Sequence, residues 1–250
     1  MIVRPMNHGN KRHNAVTAIL TDIFQSNLSP GERLRVEHLA EHYGMSVTPI
    51  REALVELAGL GLVELQPNRG AVVRPFGPRH VREICHVRRI LECEATRIAC
   101  GRIAPFELTT LQTGFNRLVE APRNQQWSVD TRQLDSALHE LIASRCGNER
   151  LAYEIGRYSI LYRTLRDALH RRRTARNNYA KMEENAEHLA IVLALASGSA
   201  EASAVAMSVH IDVAAEALVR DLFSKEAIEA DSTIAFLRSP QAAAATSAAK

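Results

Sequence analysis

Residues 39–54, LAEHYGMSVTPIREAL, constrain this chain more tightly than any other stretch. Leu39, Ala40 and Tyr43 place apolar groups on one face of a short helix. Gly44 suits the left-handed residue that ends a helix. Ser46 or Thr48 can cap a second helix, whose first turn tolerates Pro49. Ile50, Leu54 and Leu57 continue at helical spacing. Two helices joined by a glycine-containing turn make a helix-turn-helix, whose second helix enters the DNA major groove. Ser46, Thr48, Arg51 and Glu52 then sit near the exposed start of that helix. Helix, glycine and helix alone also describe a plain helical hairpin.

The following residues favour the DNA-binding form. Leu57, Leu60, Leu62, Val63 and Leu65 lead into Pro67-Asn68-Arg69-Gly70 and then Ala71-Val72-Val73-Arg74. This pattern reads as strand, turn and strand, a β-hairpin wing behind the second helix. Arg69 at its tip, with Gly70 beside it, is within reach of a phosphate or the minor groove.

Pro30-Gly31-Glu32-Arg33-Leu34, Leu39-Ala40-Glu41, Gly44-Met45-Ser46, Thr48-Pro49-Ile50-Arg51-Glu52-Ala53-Leu54, Gly61-Leu62-Val63 and Pro67-Asn68-Arg69-Gly70 closely resemble the winged helix of the GntR family of bacterial transcription regulators. The resemblance spans residues 13–75. It implies that Ser46, Thr48 and Arg51 contact bases or phosphates and that Arg33, Arg35 and Arg69 contact mainly phosphates. The family usually carries Arg between the Ser and Thr of this turn, where Val47 stands here, so an operator preference does not carry over.

Bulk charge does not make this argument. The 250-residue chain has a net charge of +3, and residues 1–74 hold 8 Lys/Arg against 7 Asp/Glu. Arrangement, not charge, carries the DNA reading. Apolar residues make up 46% and aromatic residues 5%, so aliphatic side chains and Ala must fill the core. Abundant Ala, Leu, Glu and Arg favour a mainly α protein. Cys85, Cys93, Cys100 and Cys146 lack zinc-finger spacing and read as buried, reduced thiols. There is no signal-peptide pattern. The longest apolar run, residues 189–196, is too short to cross a bilayer, so a cytoplasmic location without membrane contact is expected.

Residues 1–12 lack periodicity and read as a flexible tail. Val16, Ile19, Leu20, Ile23 and Phe24 predict a first helix over residues 13–27. After the winged helix-turn-helix of residues 13–75, two prolines and a glycine within residues 74–79 end regular structure, and residues 76–79 read as a linker. Residues 80–226 then read as an all-α bundle, with helices at about 79–102, 105–120, 128–145, 148–172, 175–197 and 199–222. Residues 239–250 are Ala-rich without an apolar face and read as a disordered tail.

Within the bundle, Asp135 and His139 are four residues apart and share one helix face with Leu138 and Ile142. His188 begins a stripe continued by Ile191, Val192 and Leu195. His210 lies beside Met207, Val209 and Val213. A single such His reads as a core residue. Three His and an Asp on three helices suit a divalent metal, zinc first, with nickel, manganese or iron as alternatives. Arg88 can grip a carboxylate bidentately or pair with Glu92 on its own helix. Arg163 and Asn185 are weaker pocket candidates, for which a surface position is expected.

Arg88, Leu91, Glu92, Ala95 and Ala99, then Asp135-x-x-Leu-His139 with Gly147-Asn148, then Glu187-His188 with Ala194-Leu195 and Gly198, then Ala206 with His210-Ile211, are similar to the FCD ligand-binding domain. That is the helical effector domain of the fatty-acid-regulator branch of the GntR family. The resemblance implies a metal held by Asp135, His139, His188 and His210, and a small carboxylic-acid effector at or beside it. The whole then reads as a metabolite-responsive repressor that binds operator DNA as a homodimer and is not an enzyme. The alternatives are a metal-dependent hydrolase using the same Asp/His₃ set and a helical assembly protein with core histidines.

Overall fold

The computed structural model describes residues 8–25, 27–67, 69–174 and 184–228. The chain divides into two compact units between Phe76 and Gly77, with Arg163–Ala168 of a later helix grouping with the first.

The first unit opens with α1 (His8–Phe24). Ala15, Val16, Ile19 and Leu20 are fully buried, the spacing of one helix face, and α1 packs on α3 (Val47–Gly59). On α3, Ile50, Ala53, Leu54 and Leu57 are buried in turn. Each of the larger aliphatic side chains contributes about 1.5–3 kcal/mol by leaving water. The helix starts within the expected tail of residues 1–12, and Lys11, Arg12, His13 and Asn14 are exposed on it. Arg12 there pairs with Glu56 of α3 at 3.3 Å. Residues 1–7 of that tail, and the whole expected tail 239–250, lie outside the described residues.

The short α2 (Val36–His42) ends at Tyr43. Gly44 has φ +63°, as its place in the turn requires. The Gly44 and Met45 amides donate to Glu41 and Ala40 carbonyls at 3.1 and 2.8 Å, the paired bonds that close a helix end. The Tyr43 hydroxyl donates to Asp22 of α1 at 2.6 Å. Ser46 occupies the cap position of α3, but its hydroxyl makes no capping bond.

The wing contains β2 (Val63–Gln66) and β3 (Gly70–Val73), antiparallel with Val63 opposite Val73 and Gln66 opposite Gly70. A third strand, β1 (Arg33–Leu34), pairs with the other edge of β3, giving the order β1-β3-β2. Two residues are too short to leave an alternating pattern, and periodicity therefore missed β1. The third strand also explains Gly70. At φ +85°, any Cβ there would stand 2.0 Å from the Leu34 carbonyl oxygen.

Among the described residues the second unit holds α4 (Pro78–Ala99), α5 (Pro105–Glu120), α6 (Gln125–Arg145), α7 (Glu149–Thr174) apart from Arg163–Ala168, α8 (Glu184–Ala196) and α9 (Ala200–Leu222). α4 packs along α9 and α6, while α8 packs against α9 and α5. Phe115, Leu138, Ile142, Ile191, Val192, Met207 and Ile211 form its centre. Residues 175–183 of the expected fifth bundle helix lie outside the described residues. α6 starts ahead of the expected residue 128, because Asn124 caps it by accepting from the Trp127 amide at 2.9 Å. The Trp127 indole then donates to the Leu118 carbonyl at 2.8 Å and fastens α6 to the end of α5.

Two expectations need correction. α9 is long and apolar enough to cross a bilayer. It nevertheless packs against α4 and α8 as a core helix, with Met207, Ile211, Leu218 and Val219 buried. All four cysteines are free, but only Cys85 and Cys146 are buried; Cys93 and Cys100 are partly exposed. Burial pushes the Cys85 thiol up to about 11.

The Gly70 geometry predicts unequal costs for two glycine substitutions. Gly44→Ala bears only left-handed backbone strain, since nothing lies within 4 Å of its new Cβ, and should cost about 1–2 kcal/mol. Gly70→Ala adds the collision with Leu34 and should cost more, about 3 kcal/mol or above. Urea denaturation of the two variants measures the difference; equal losses would contradict the β1–β3 contact.

Candidate functional site

In the first unit, Arg33, Arg35, Arg51, Arg69 and Gly70 line one cleft of about 600 Å³. The chain supplies them from β1, the residue before α2, the second turn of α3 and the wing tip. The cleft is completed by Val36, Glu37, Leu54, Val55 and Leu65. Ser46 and Thr48 are exposed at the start of α3, outside this lining, and Val47 is half-buried between them. The Arg33 Nε donates to the Arg69 carbonyl at 3.2 Å and ties the wing tip to β1. Arg51 stands 3.9 Å from Glu37, with both side chains largely exposed. Such a pair contributes little and yields readily to another anion. Four permanently charged guanidinium forks around an open, partly apolar cleft can hold phosphates and read guanine edges.

In the second unit, Asp135 and His139 of α6, His188 of α8 and His210 of α9 converge, each buried, with their ligand atoms within 4.8 Å of one another. The His188 Nε2 lies 2.9 Å from Asp135 Oδ1, and the His139 Nε2 lies 3.5 Å from the same oxygen. The His188 and His210 ring centroids are 4.3 Å apart. Phe115 of α5 stacks on His188 at 5.1 Å.

A carboxylate outside the expected set reaches this cluster. Glu92 of α4 contacts His139 Nδ1 through Oε2, and its Oε1 accepts from Arg88 Nε at 2.8 Å. The Arg88 guanidinium lies over the Tyr162 ring, 3.8 Å from its centroid. Arg88 therefore makes its same-helix pair, while its Nη1 is buried without a hydrogen-bond partner. The Glu187 carboxylate stands 3.1 Å from His210 Nδ1.

Burial opposes every charge in the cluster, and the neighbouring groups drive the protonation states apart. Burial pushes the Glu92 carboxyl up, but Arg88 and His139 outweigh it and hold Glu92 down at about 2. It pulls the His139 imidazole down, but Glu92 and Asp135 outweigh it and raise His139 to about 9. His188 is lowered to about 3 by burial and by the neighbouring His210. Without a metal, His139 is the charged imidazole and His188 the neutral one.

The donor set fits a divalent metal. His139 Nε2, His188 Nδ1 and His210 Nε2 are buried nitrogens without hydrogen-bond partners, a costly state for a closed core. Imidazole and carboxylate together are the donors that zinc, nickel, manganese and iron accept.

Asn185 overturns its expected surface position. It is buried and donates from Nδ2 to Thr131 Oγ1 at 3.1 Å, while its Oδ1 has no hydrogen-bond partner. Arg163 is half-buried. Sequence spacing pairs Glu92 only with Arg88. Its contact with a histidine 47 residues away has no local signature, and Glu187, next to His188, has none either.

Residues 11–73 match the family model for bacterial regulatory proteins of the gntR family, and residues 83–213 match the model for the FCD domain. The chain is 33% identical to the HTH-type transcriptional regulator McbR of Escherichia coli (strain K12) over 118 residues, 45% of this chain and 53% of that protein. It is 28% identical to the HTH-type transcriptional repressor RspR of the same organism over 121 residues, 48% of this chain and 53% of that protein. The chain thus spans about half the length of these two relatives. It is 30% identical to the uncharacterized HTH-type transcriptional regulator BphR of Paraburkholderia xenovorans (strain LB400) over 196 residues, 76% of this chain and 78% of that protein. The solved structure of E. coli McbR/YncC shares the fold, with a TM-score of 0.61 at 22% identity, covering 85% of this chain and 97% of that one. These families and relatives are transcription regulators, not enzymes, and the hydrolase alternative finds no support among them.

Proposed function

Since the chain belongs to the GntR family and carries its FCD domain, we propose that it is a DNA-binding transcription regulator, a repressor whose helical unit holds a divalent metal and a small carboxylic acid. The observation that carries this reading is the presence in one chain of an arginine-lined cleft beside α3 and a buried Asp/His₃ cluster. Similarity to RspR, named a transcriptional repressor, supports repression as the sign of regulation. Work on operator DNA accords with a cytoplasmic location.

On this reading α3 enters the major groove. Arg51 reads bases or phosphates there, with Ser46 and Thr48 at the helix start. Arg33, Arg35 and Arg69 grip phosphates around the wing, where Gly70 lets β3 run against β1. A homodimer presents two such helices to two half-sites of a pseudo-palindromic operator.

In the helical unit, Asp135, His139, His188 and His210 would hold the ion, zinc being the first choice. When bound, the ion supplies a Lewis-acid anchor for a carboxylate. Arg88 then offers Nη1 to the same acid while Glu92 retains Nε. An acid that binds two arrangements of α4, α6, α8 and α9 unequally shifts their populations. α4 follows the wing in the chain after residues 74–77 and is the covalent route for that shift.

Three measurements test this. On a duplex that the wild type selects from random-sequence DNA, Arg51→Ala and Arg69→Ala should each lose about 1–3 kcal/mol of affinity and flatten the salt dependence by about one unit of slope per lost phosphate contact. Unchanged affinity and slope would remove α3 and the wing from the interface. Elemental analysis of protein purified without chelator should find a divalent metal that is lost in the double variant His139→Ala, His188→Ala. Zinc added to stripped wild type should raise its melting temperature by mass action. Wild type that neither retains metal nor responds to zinc would overturn the metal reading.

A further inference from the structure

The buried Arg88–Glu92 pair occupies the apolar stripe of α4, among Val81, Ile84, Cys85, Ala95 and Ala99. An ion pair in that position is expensive to bury and asks for a purpose beyond stability. Both Glu92 oxygens are engaged, Oε1 by Arg88 and Oε2 by His139 Nδ1. Glu92 is thus not free to coordinate anything itself. Across the cluster, Glu187 of α8 meets His210 through the same ring atom, Nδ1, at 3.1 Å. A carboxylate can only accept, so in each pair Nδ1 carries the proton and donates. In the neutral ring that a metal ion requires, Nε2 then holds the lone pair. On both rings Nε2 is buried without a hydrogen-bond partner, and each ring supplies a ligand atom to the cluster that contains Asp135. His188 differs: its Nε2 lies 2.9 Å from Asp135, it stacks on Phe115, and among the described residues its Nδ1 meets no carboxylate.

Resting on the metal reading above, we propose that Glu92 and Glu187 are the positioning residues of the centre. Each fixes the tautomer and ring orientation of one histidine, His139 or His210, so that Nε2 faces the ion. Arg88, set against Tyr162, keeps the Glu92 carboxylate in place. Arg88 is on this account first a clamp on a ligand-orienting carboxylate and only through its remaining nitrogen a contact for an acid. Three helices supply the ligands and a fourth, α4, sets how tightly they hold. The fastening of α4 through Glu92 makes metal occupancy felt on the helix that continues the chain from the wing.

The test measures zinc affinity by competition with a chromophoric chelator, and the absorption spectrum of the Co²⁺ form, on the full chain. Glu92→Gln and Glu187→Gln should each weaken zinc binding by about 10–100-fold and alter the Co²⁺ spectrum, with far-UV circular dichroism unchanged. In a His210→Ala background, Glu187→Gln should cause no further loss, which separates positioning from a general structural effect. Glu92→Gln leaves Arg88 buried without its counter-ion, and if that variant does not fold, Glu187→Gln decides alone, because Glu187 is partly exposed and carries no such partner. Wild-type affinity and spectrum in Glu187→Gln, or equal losses with and without His210, would overturn the proposal while leaving the metal site standing. A wild type that binds neither zinc nor Co²⁺ would instead overturn the metal reading on which it rests.

Discussion

The structure of the helical unit depends on the cost of taking charge out of water. Arg88, Glu92, Asp135, His139, His188 and His210 all lie in its interior. Each ion removed from solvent costs several kcal/mol unless partners replace the lost hydration. The bundle meets that cost by a continuous run of contacts. Tyr162 faces Arg88, Arg88 binds Glu92, Glu92 binds His139, and Asp135 stands between His139 and His188. Removal of Glu92 would leave Arg88 buried without its counter-ion, whereas Glu92, Asp135 and His139 each contact two members of the run. Helices α4, α6 and α8 are held in register by polar contacts as well as by apolar packing, and specificity of arrangement follows from that.

The run is nonetheless incomplete. Three imidazole nitrogens end it without hydrogen-bond partners, on rings that surround one carboxylate. Native cores satisfy nearly all their buried polar atoms, and the metal proposed above would satisfy these. The same residues that would be a defect in a closed core make a site ready for a cation. The opposite protonation tendencies of His139 and His188 follow from the same geometry, since burial lowers both, two carboxylates outweigh it at His139, and at His188 the neighbouring His210 adds to it against a single carboxylate.

The winged unit is organised on the contrary principle. Its interior is aliphatic, with Ile19, Leu20, Ile50, Leu54 and Leu57 at its centre, and its arginines stand at the surface. Exposed charges there cost nothing to solvate and remain available to phosphates. What must be exact is backbone geometry, since Gly70 allows β3 to pass the Leu34 carbonyl and Arg33 then anchors the wing tip. The helical unit buries a small charged cluster while the winged unit keeps the arginines of its cleft exposed, as fits the small ion and the polyanion proposed for them.

Elements governed by local periodicity were legible in the residues themselves. The glycine turn of the helix-turn-helix, the hairpin, the helices of the bundle and the i, i+4 pairing of Asp135 with His139 all follow from spacing along one segment. The apolar stripes placed His188 and His210 on core-facing surfaces, and the expectation that both meet the Asp135–His139 pair came from the resemblance to the FCD domain. Three kinds of feature were out of reach. Strand β1 is too short to show a pattern. The start of α6 turns on a single capping Asn124. The contacts Glu92–His139, Glu187–His210 and Asn185–Thr131 join different helices or neighbouring stripes, and no spacing encodes them. The amino-acid sequence by itself determined which segments are helices, which faces are apolar and which side chains could serve as ligands, because propensity and periodicity act over a few residues. Only the tertiary structure decided which polar groups share a buried space and which ring nitrogen faces which carboxylate, because desolvation is levied by the whole packed bundle and is relieved only by partners that folding brings together.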